Sequence, residues 1–211
     1  MVDNATQALG VPSIITPKRH EVFYINDDSV IIRVEDTLYR FHRHFLTRHS
    51  KAFETTFSLK PENEKPEGLT DEHPVLLEGI TCKDFERLLC LFYPENVSDG
   101  DLSTTEEWTS VLALATKWDF AEYRQLAISR LSQLASPVDR ILLGRAYEIP
   151  EWLSTAYLEL CTRDDALTYE EGMRLGMRDV ILLSDIRQSI RGSRVTMQDK
   201  NISILIDRKL G

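Results

Sequence analysis

The stretch from Val30 to Phe57, VIIRVEDTLYRFHRHFLTRHSKAFETTF, decides how the rest of the chain is read. Two short apolar runs, Val30 to Val34 and Leu38 to Phe41, are parted by the polar step Glu35-Asp36-Thr37. β-Branched residues, a brief polar break and a second run ending in aromatics predict a hairpin. The period then lengthens. Phe45, Leu46, His49, Phe53 and Phe57 fall on one side of short helices, with Leu46 expected in the core. A hairpin running straight into a helical pair, with no side chains grouped for bond-making, predicts an interaction module rather than an enzyme.

Upstream, Val22-Phe23-Tyr24-Ile25 is a β-prone run suited to an edge strand. Residues 1–20, with Pro12 and Pro17, read as a flexible lead-in. The start lacks a charged segment followed by an apolar one, so no secretory signal is expected. Downstream, Lys60 to His73 is rich in glutamate, proline and glycine and reads as a solvated loop. Pro74-Val75-Leu76-Leu77 then predicts a third strand, with proline tolerated at its start.

From Thr81 to about Ile190 the pattern is helical. Thr81 with Asp84, Thr104 with Glu107, Asp119 with Glu122, and Thr168 with Glu171 each set a capping residue three positions before an acidic one. Such a side-chain oxygen accepts from the orphan N–H groups of the first helical turn. Ser136-Pro137-Val138-Asp139 adds proline at the first helical position, where no N–H is missed. Each segment carries a one-sided apolar stripe, such as Trp108, Val111, Leu112 and Ala115, or Ile141, Leu142, Ala146 and Ile149. Stripes of this width pack on a core. The end, from Gly192, is a polar tail turning apolar at Ile202 to Ile206, where the alternation suits either an added strand or a sticky terminus.

Over 211 residues, 42% hydrophobic and 28% charged residues suit a folded chain with a buried core. A formal charge of −9 with scattered arginines argues against a nucleic-acid partner, which requires clustered positive charge. No apolar run approaches the roughly 18 residues of a membrane span. Cys82, Cys90 and Cys161 form no CxxC pair and read as free thiols in a reducing compartment, so a cytoplasmic or nuclear location, or both, is expected. His42, His44 and His49 straddle a strand-to-helix change and lack the spacing of a metal site, so no metal and no cofactor are expected. Phosphate-binding glycine loops and nucleophile elbows are absent from the sequence.

Hairpin, helical pair, acidic loop, strand and successive helices together resemble the BTB/POZ family, and within it the members abundant in mushroom-forming basidiomycete fungi. Tyr39-Arg40-Phe41-His42 with Leu46, Ser50 and Phe53 is similar to the family signature, with tyrosine at its first place. Phe85, Leu88, Leu89 and Tyr93 resemble its next helix. Glu107-Trp108-Thr109, Val138-Asp139-Arg140-Ile141 and Glu170-Glu171-Gly172 resemble the fungal group. Ser29 stands where the family often has aspartate, and the polar segment between residues 94 and 103 leaves open whether a strand lies there.

The resemblance implies an α+β fold, a small sheet flanked by helices. It implies a BTB/POZ domain over 21–135, a helical extension over 136–191 and a tail over 192–211. It also implies a non-catalytic module for protein partners, often a homodimer. Val22, Phe23, Tyr24, His44, Phe45, His49 and Phe57 are then the expected partner-binding residues. The alternative is a substrate adaptor of a cullin-type ubiquitin ligase. Adaptors often carry a hydrophobic–x–acidic motif here, and Thr56-Phe57-Ser58 has neither end of it.

Overall fold

The computed structural model describes residue 19 and residues 29–58, 67–192 and 199–210. Its β-structure is small and lies early. Strand β1 (Ser29–Val34) is central, between β2 (Thr37–His42) and β3 (Val75–Leu77). β1 pairs antiparallel with β2, Val30 facing Phe41 and Val34 facing Thr37, and parallel with β3, Ile32 facing Val75. The strand period of two turns Val30, Ile32 and Val34 into the core. Glu35 holds φ 52 in the hairpin turn, and its carboxylate accepts from the Cys82 N–H at 3.0 Å. The reversal of the hairpin is thereby tied to the start of a later helix.

Between β2 and β3 come α1 (His44–His49) and α2 (Lys51–Ser58). Ahead of β3, the Gly68 carbonyl accepts from the Ile31 N–H at 2.7 Å, and the Gly68 N–H donates to the His73 carbonyl at 2.7 Å. Gly68 has φ +80, and a Cβ there would lie 2.8 Å from Val30 Cγ2. Only glycine gives both the left-handed backbone and this close approach. Residues 60–66 of the expected solvated loop lie outside the described residues, and its described part is anchored to β1 through Gly68, with a Thr70–His73 bridge inside it.

The helices follow as α3 (Cys82–Phe92), α4 (Thr105–Lys117), α5 (Ala121–Leu134), α6 (Pro137–Ala146), α7 (Glu151–Thr162), α8 (Tyr169–Leu175), α9 (Met177–Gly192) and α10 (Asp199–Leu210). The result is an α+β fold, a three-stranded sheet with helices around and after it. Thr81 caps α3 by accepting from the Asp84 N–H. Thr104, Ser136 and Thr168 close full capping boxes with Glu107, Asp139 and Glu171. These three caps fall at equal intervals and open three helical hairpins, α4–α5, α6–α7 and α8–α9. The first two turn alike. Asp119 (φ 55) and Glu148 (φ 53) follow the ends of α4 and α6, and the next N–H bonds five residues back, Phe120 to Ala115 and Ile149 to Gly144. That is a Schellman ending with an acidic residue in the left-handed position usually held by glycine.

Three expectations are corrected. Asp119 caps nothing: the residue before α5 is Phe120, without a side-chain cap, and Asp119 belongs to the end of α4. Burial of Phe120 fixes that turn. Ile149 lies beyond α6, in the same turn of the second hairpin. The tail expected over 192–211 contains a helix, α10, and residues Ile202 to Ile206 are not a strand. Ile202 and Ile206 lie one helical turn apart and are buried in the cluster formed with α7 and α9. Residues 94–103 contain turns and bends and no strand.

Among the described residues the buried side chains form three clusters. One joins the sheet to α1, α2 and α3 through Ile32, Leu46, Phe53, Phe85 and Phe120. A second fills the first hairpin and the turn of the next, through Trp108, Leu112, Leu131 and Trp152. The third joins α6, α7, α9 and α10 through Ile141, Tyr157, Leu160 and Leu183. No described helix is long and apolar enough to cross a membrane.

Candidate protein-binding surface

His42 ends β2, and α1 starts two residues later. The strand-to-helix step turns Phe45 toward the end of α3. Its ring stacks on Phe92 at 5.3 Å and 7°, and meets Tyr93 edge-on at 5.0 Å. Tyr93 is 42% exposed, yet its hydroxyl is fixed. It accepts from the His42 backbone N–H at 3.0 Å and lies 2.6 Å from His42 Nδ1. The outcome is a half-buried aromatic patch, Phe45 and Tyr93 beside the His42 ring, clamped to the hairpin at one side and to α3 at the other.

On the same helix, His49 Nδ1 lies 3.0 Å from Glu122 Oε2, and its ring packs 5.2 Å from Tyr123. His44 is half-buried, and its ring meets Phe45 at 6.3 Å. Phe57 sits at the far end of α2, stacked 5.9 Å from Phe53, with the Arg43 guanidinium 5.7 Å above its ring. His44, Phe45 and His49 are thus brought together on α1, while Phe57 belongs to a separate edge. Val22, Phe23 and Tyr24 lie outside the described residues. The early histidines do not converge, since His42 turns to Tyr93 and His49 to Glu122.

Leu46 is fully buried, as expected, and contributes scaffold rather than surface. Ser50 has the same status. Its hydroxyl donates to the Trp118 carbonyl at 2.6 Å and accepts from the Phe53 N–H at 3.1 Å. Tyr39 donates to Glu86 at 2.9 Å, and burial together with contacts to Cys82 and Glu86 pushes its phenol well above the ordinary range. The Cys161 thiol is pushed up to about 11 by burial, which keeps it protonated.

A further exposed feature escaped the sequence. On one rung of the sheet, Arg33 pairs with Leu38 of β2 and with Leu76 of β3. All three face solvent, Leu38 at 43% and Leu76 at 49%. The row Leu38–Arg33–Leu76 exists only because β3 pairs parallel to β1, a relation that strand periodicity does not reveal. Patches of this kind mark contact surfaces more often than scattered leucines do.

The model of the BTB/POZ domain family matches residues 27–133, which span the sheet and helices α1 to α5. No curated protein and no solved structure matches the chain.

Proposed function

The chain belongs to the BTB/POZ family, and from that premise we propose that it is a non-catalytic protein–protein interaction module that associates with a second copy of itself. The family supports protein partners in general. The observation that carries self-association is the aromatic patch of α1, in which Phe45 and the 42%-exposed Tyr93 are held rigid by His42 and Phe92. Rigid aromatics lose little entropy on binding and anchor interfaces well. His44 and His49 flank the patch on the same helix. Val22, Phe23 and Tyr24 belong to the proposed interface as well.

In this reading residues 21–135 form the interaction domain, 136–191 a helical extension, and the protein works in the cytoplasm, the nucleus or both. An adaptor role with a cullin scaffold has less support. Thr56 and Ser58 donate their hydroxyls to the Ala52 and Glu54 carbonyls of their own helix, where an adaptor would offer a hydrophobic and an acidic side chain.

Sedimentation equilibrium of the full chain tests the surface. A His44→Glu, His49→Glu variant, which sets carboxylates beside Phe45 in both copies, should shift the chain toward monomer with an unchanged circular dichroism spectrum. An unchanged association constant would remove α1 from the interface.

A further inference from the structure

Among the described residues three arginines, Arg163, Arg187 and Arg191, gather at the turn that follows α7. Arg163 is answered by a carboxylate, its guanidinium pairing with Glu171 at 2.5 Å. Arg187 and Arg191, one turn apart on α9, are not. Arg187 donates to the carbonyls of Leu160, Asp164 and Asp165, and Arg191 to the Asp164 carbonyl at 3.1 Å. Among the described residues no carboxylate pairs with either. The end of a helix supplies only about half an elementary negative charge, against two full guanidinium charges. Asp164 attracts Arg187 from a greater distance, and its side chain is exposed.

Arg187 itself is only 8% exposed. Burial first, then repulsion from Arg191 and Arg163, holds its guanidinium below the ordinary arginine range. This buried cation therefore has no carboxylate in direct contact among the described residues, and Asp164 answers it only from a distance. Beside it lies a cavity of about 650 Å3, lined on its polar side by Ser184, Arg187, Gln188 and Arg191 and on its apolar side by Leu167 and Val180. Ser184, Gln188 and Arg191 share one face of α9. Among the described residues the Ser184 hydroxyl and the Gln188 amide have no other partner, so both are free to donate. Among the described residues no acidic side chain lines the cavity.

We propose that this cavity binds the phosphate or carboxylate group of a small anionic ligand, held by Arg187, Arg191, Gln188 and Ser184, with the uncharged body of the ligand against Leu167 and Val180. The site lies on the helical extension, apart from the α1 surface, and stands whether or not the chain self-associates. Planar guanidinium donors suit an oxyanion in both geometry and charge. The apolar wall favours an organic ligand over a bare ion.

Calorimetric titration of the full chain with inorganic phosphate and with phenyl phosphate, at ionic strength matched with chloride, tests the site. Saturable binding is expected for both, tighter for phenyl phosphate. Arg191→Gln and Gln188→Glu, both at exposed positions, should each weaken binding by about tenfold or more, with a circular dichroism spectrum that matches the unsubstituted chain. Equal affinity for the two probes would overturn the role given to Leu167 and Val180. Absence of saturable heat at millimolar probe in the unsubstituted chain, or binding indifferent to both substitutions, would overturn it.

Discussion

Ser50 Oγ donates to the carbonyl of Trp118 at 2.6 Å and accepts from the Phe53 N–H at 3.1 Å, so one buried hydroxyl joins the start of α2 to the end of α4 across 68 residues of sequence. Removing that hydroxyl leaves a buried carbonyl and a buried N–H unanswered. Ser50→Ala should therefore cost about 1–3 kcal/mol, read as a lower urea midpoint with an unchanged slope. Ser50→Thr keeps the hydroxyl and should recover part of the loss.

A Cβ on Gly68 would lie 2.8 Å from Val30 Cγ2 and 3.0 Å from Val75 Cγ2, on a backbone with φ +80. Gly68→Ala combines backbone strain with overpacking against β1, and a loss of about 2–4 kcal/mol is expected. Gly100, also at positive φ but with open space around it, serves as the comparison. Gly100→Ala should cost only the strain, about 1 kcal/mol, in thermal unfolding of the same chain.

Asp119 and Glu148 pay a left-handed backbone without glycine. Glycine at either position relieves roughly 1–2 kcal/mol of strain and gives back about half of it through a more flexible unfolded chain. Asp119→Gly and Glu148→Gly should each raise stability by about 0.5–1 kcal/mol, and their sum should be close to additive in the double variant.

The buried carboxylate of Asp179 accepts from Arg145 at 2.6 and 2.8 Å and from the Tyr157 hydroxyl at 2.8 Å. Burial opposes its ionisation, but the bonds from Arg145 and Tyr157 outweigh burial and hold the carboxyl below the ordinary aspartate range. Because the folded value is the lower one, this stabilisation is complete above the unfolded pKa of about 3.9 and is lost as pH falls through the folded value. Unfolding free energy should drop steeply below about pH 4. Asp179→Asn should flatten that limb and cost about 1–3 kcal/mol at neutral pH, less than a fully buried pair because the Arg145 side chain is 42% exposed.

Much of this architecture is written locally in the sequence. Thr81, Thr104, Ser136 and Thr168 announce their helices because a cap and its acidic partner lie within one turn. The same local pattern misleads at Asp119 and Glu122, where one helix ends as the next begins and burial of Phe120 decides between them. Ile202-Ser203-Ile204-Leu205-Ile206 alternates like a strand, yet Ile202 and Ile206 also suit a helix, and packing on α7 and α9 selects it.

The candidate surface was legible only where it is local. His44, Phe45 and His49 are neighbours in sequence and remain so on α1. Tyr93 joins them through a contact from the far end of α3, and Arg33 meets Leu38 and Leu76 through two strand pairings. Long-range pairings of that kind leave no periodic trace. The arginine-lined cavity likewise depends on Arg187 and Arg191 reaching carbonyls at the end of another helix, which no spacing along α9 foretells.

Static light scattering of the purified chain over a concentration series is the most direct test of the interaction module. A concentration-dependent rise to twice the monomer mass is predicted, and the His44→Glu, His49→Glu variant should displace it to higher concentration. A chain that stays strictly monomeric at high micromolar concentration would contradict self-association.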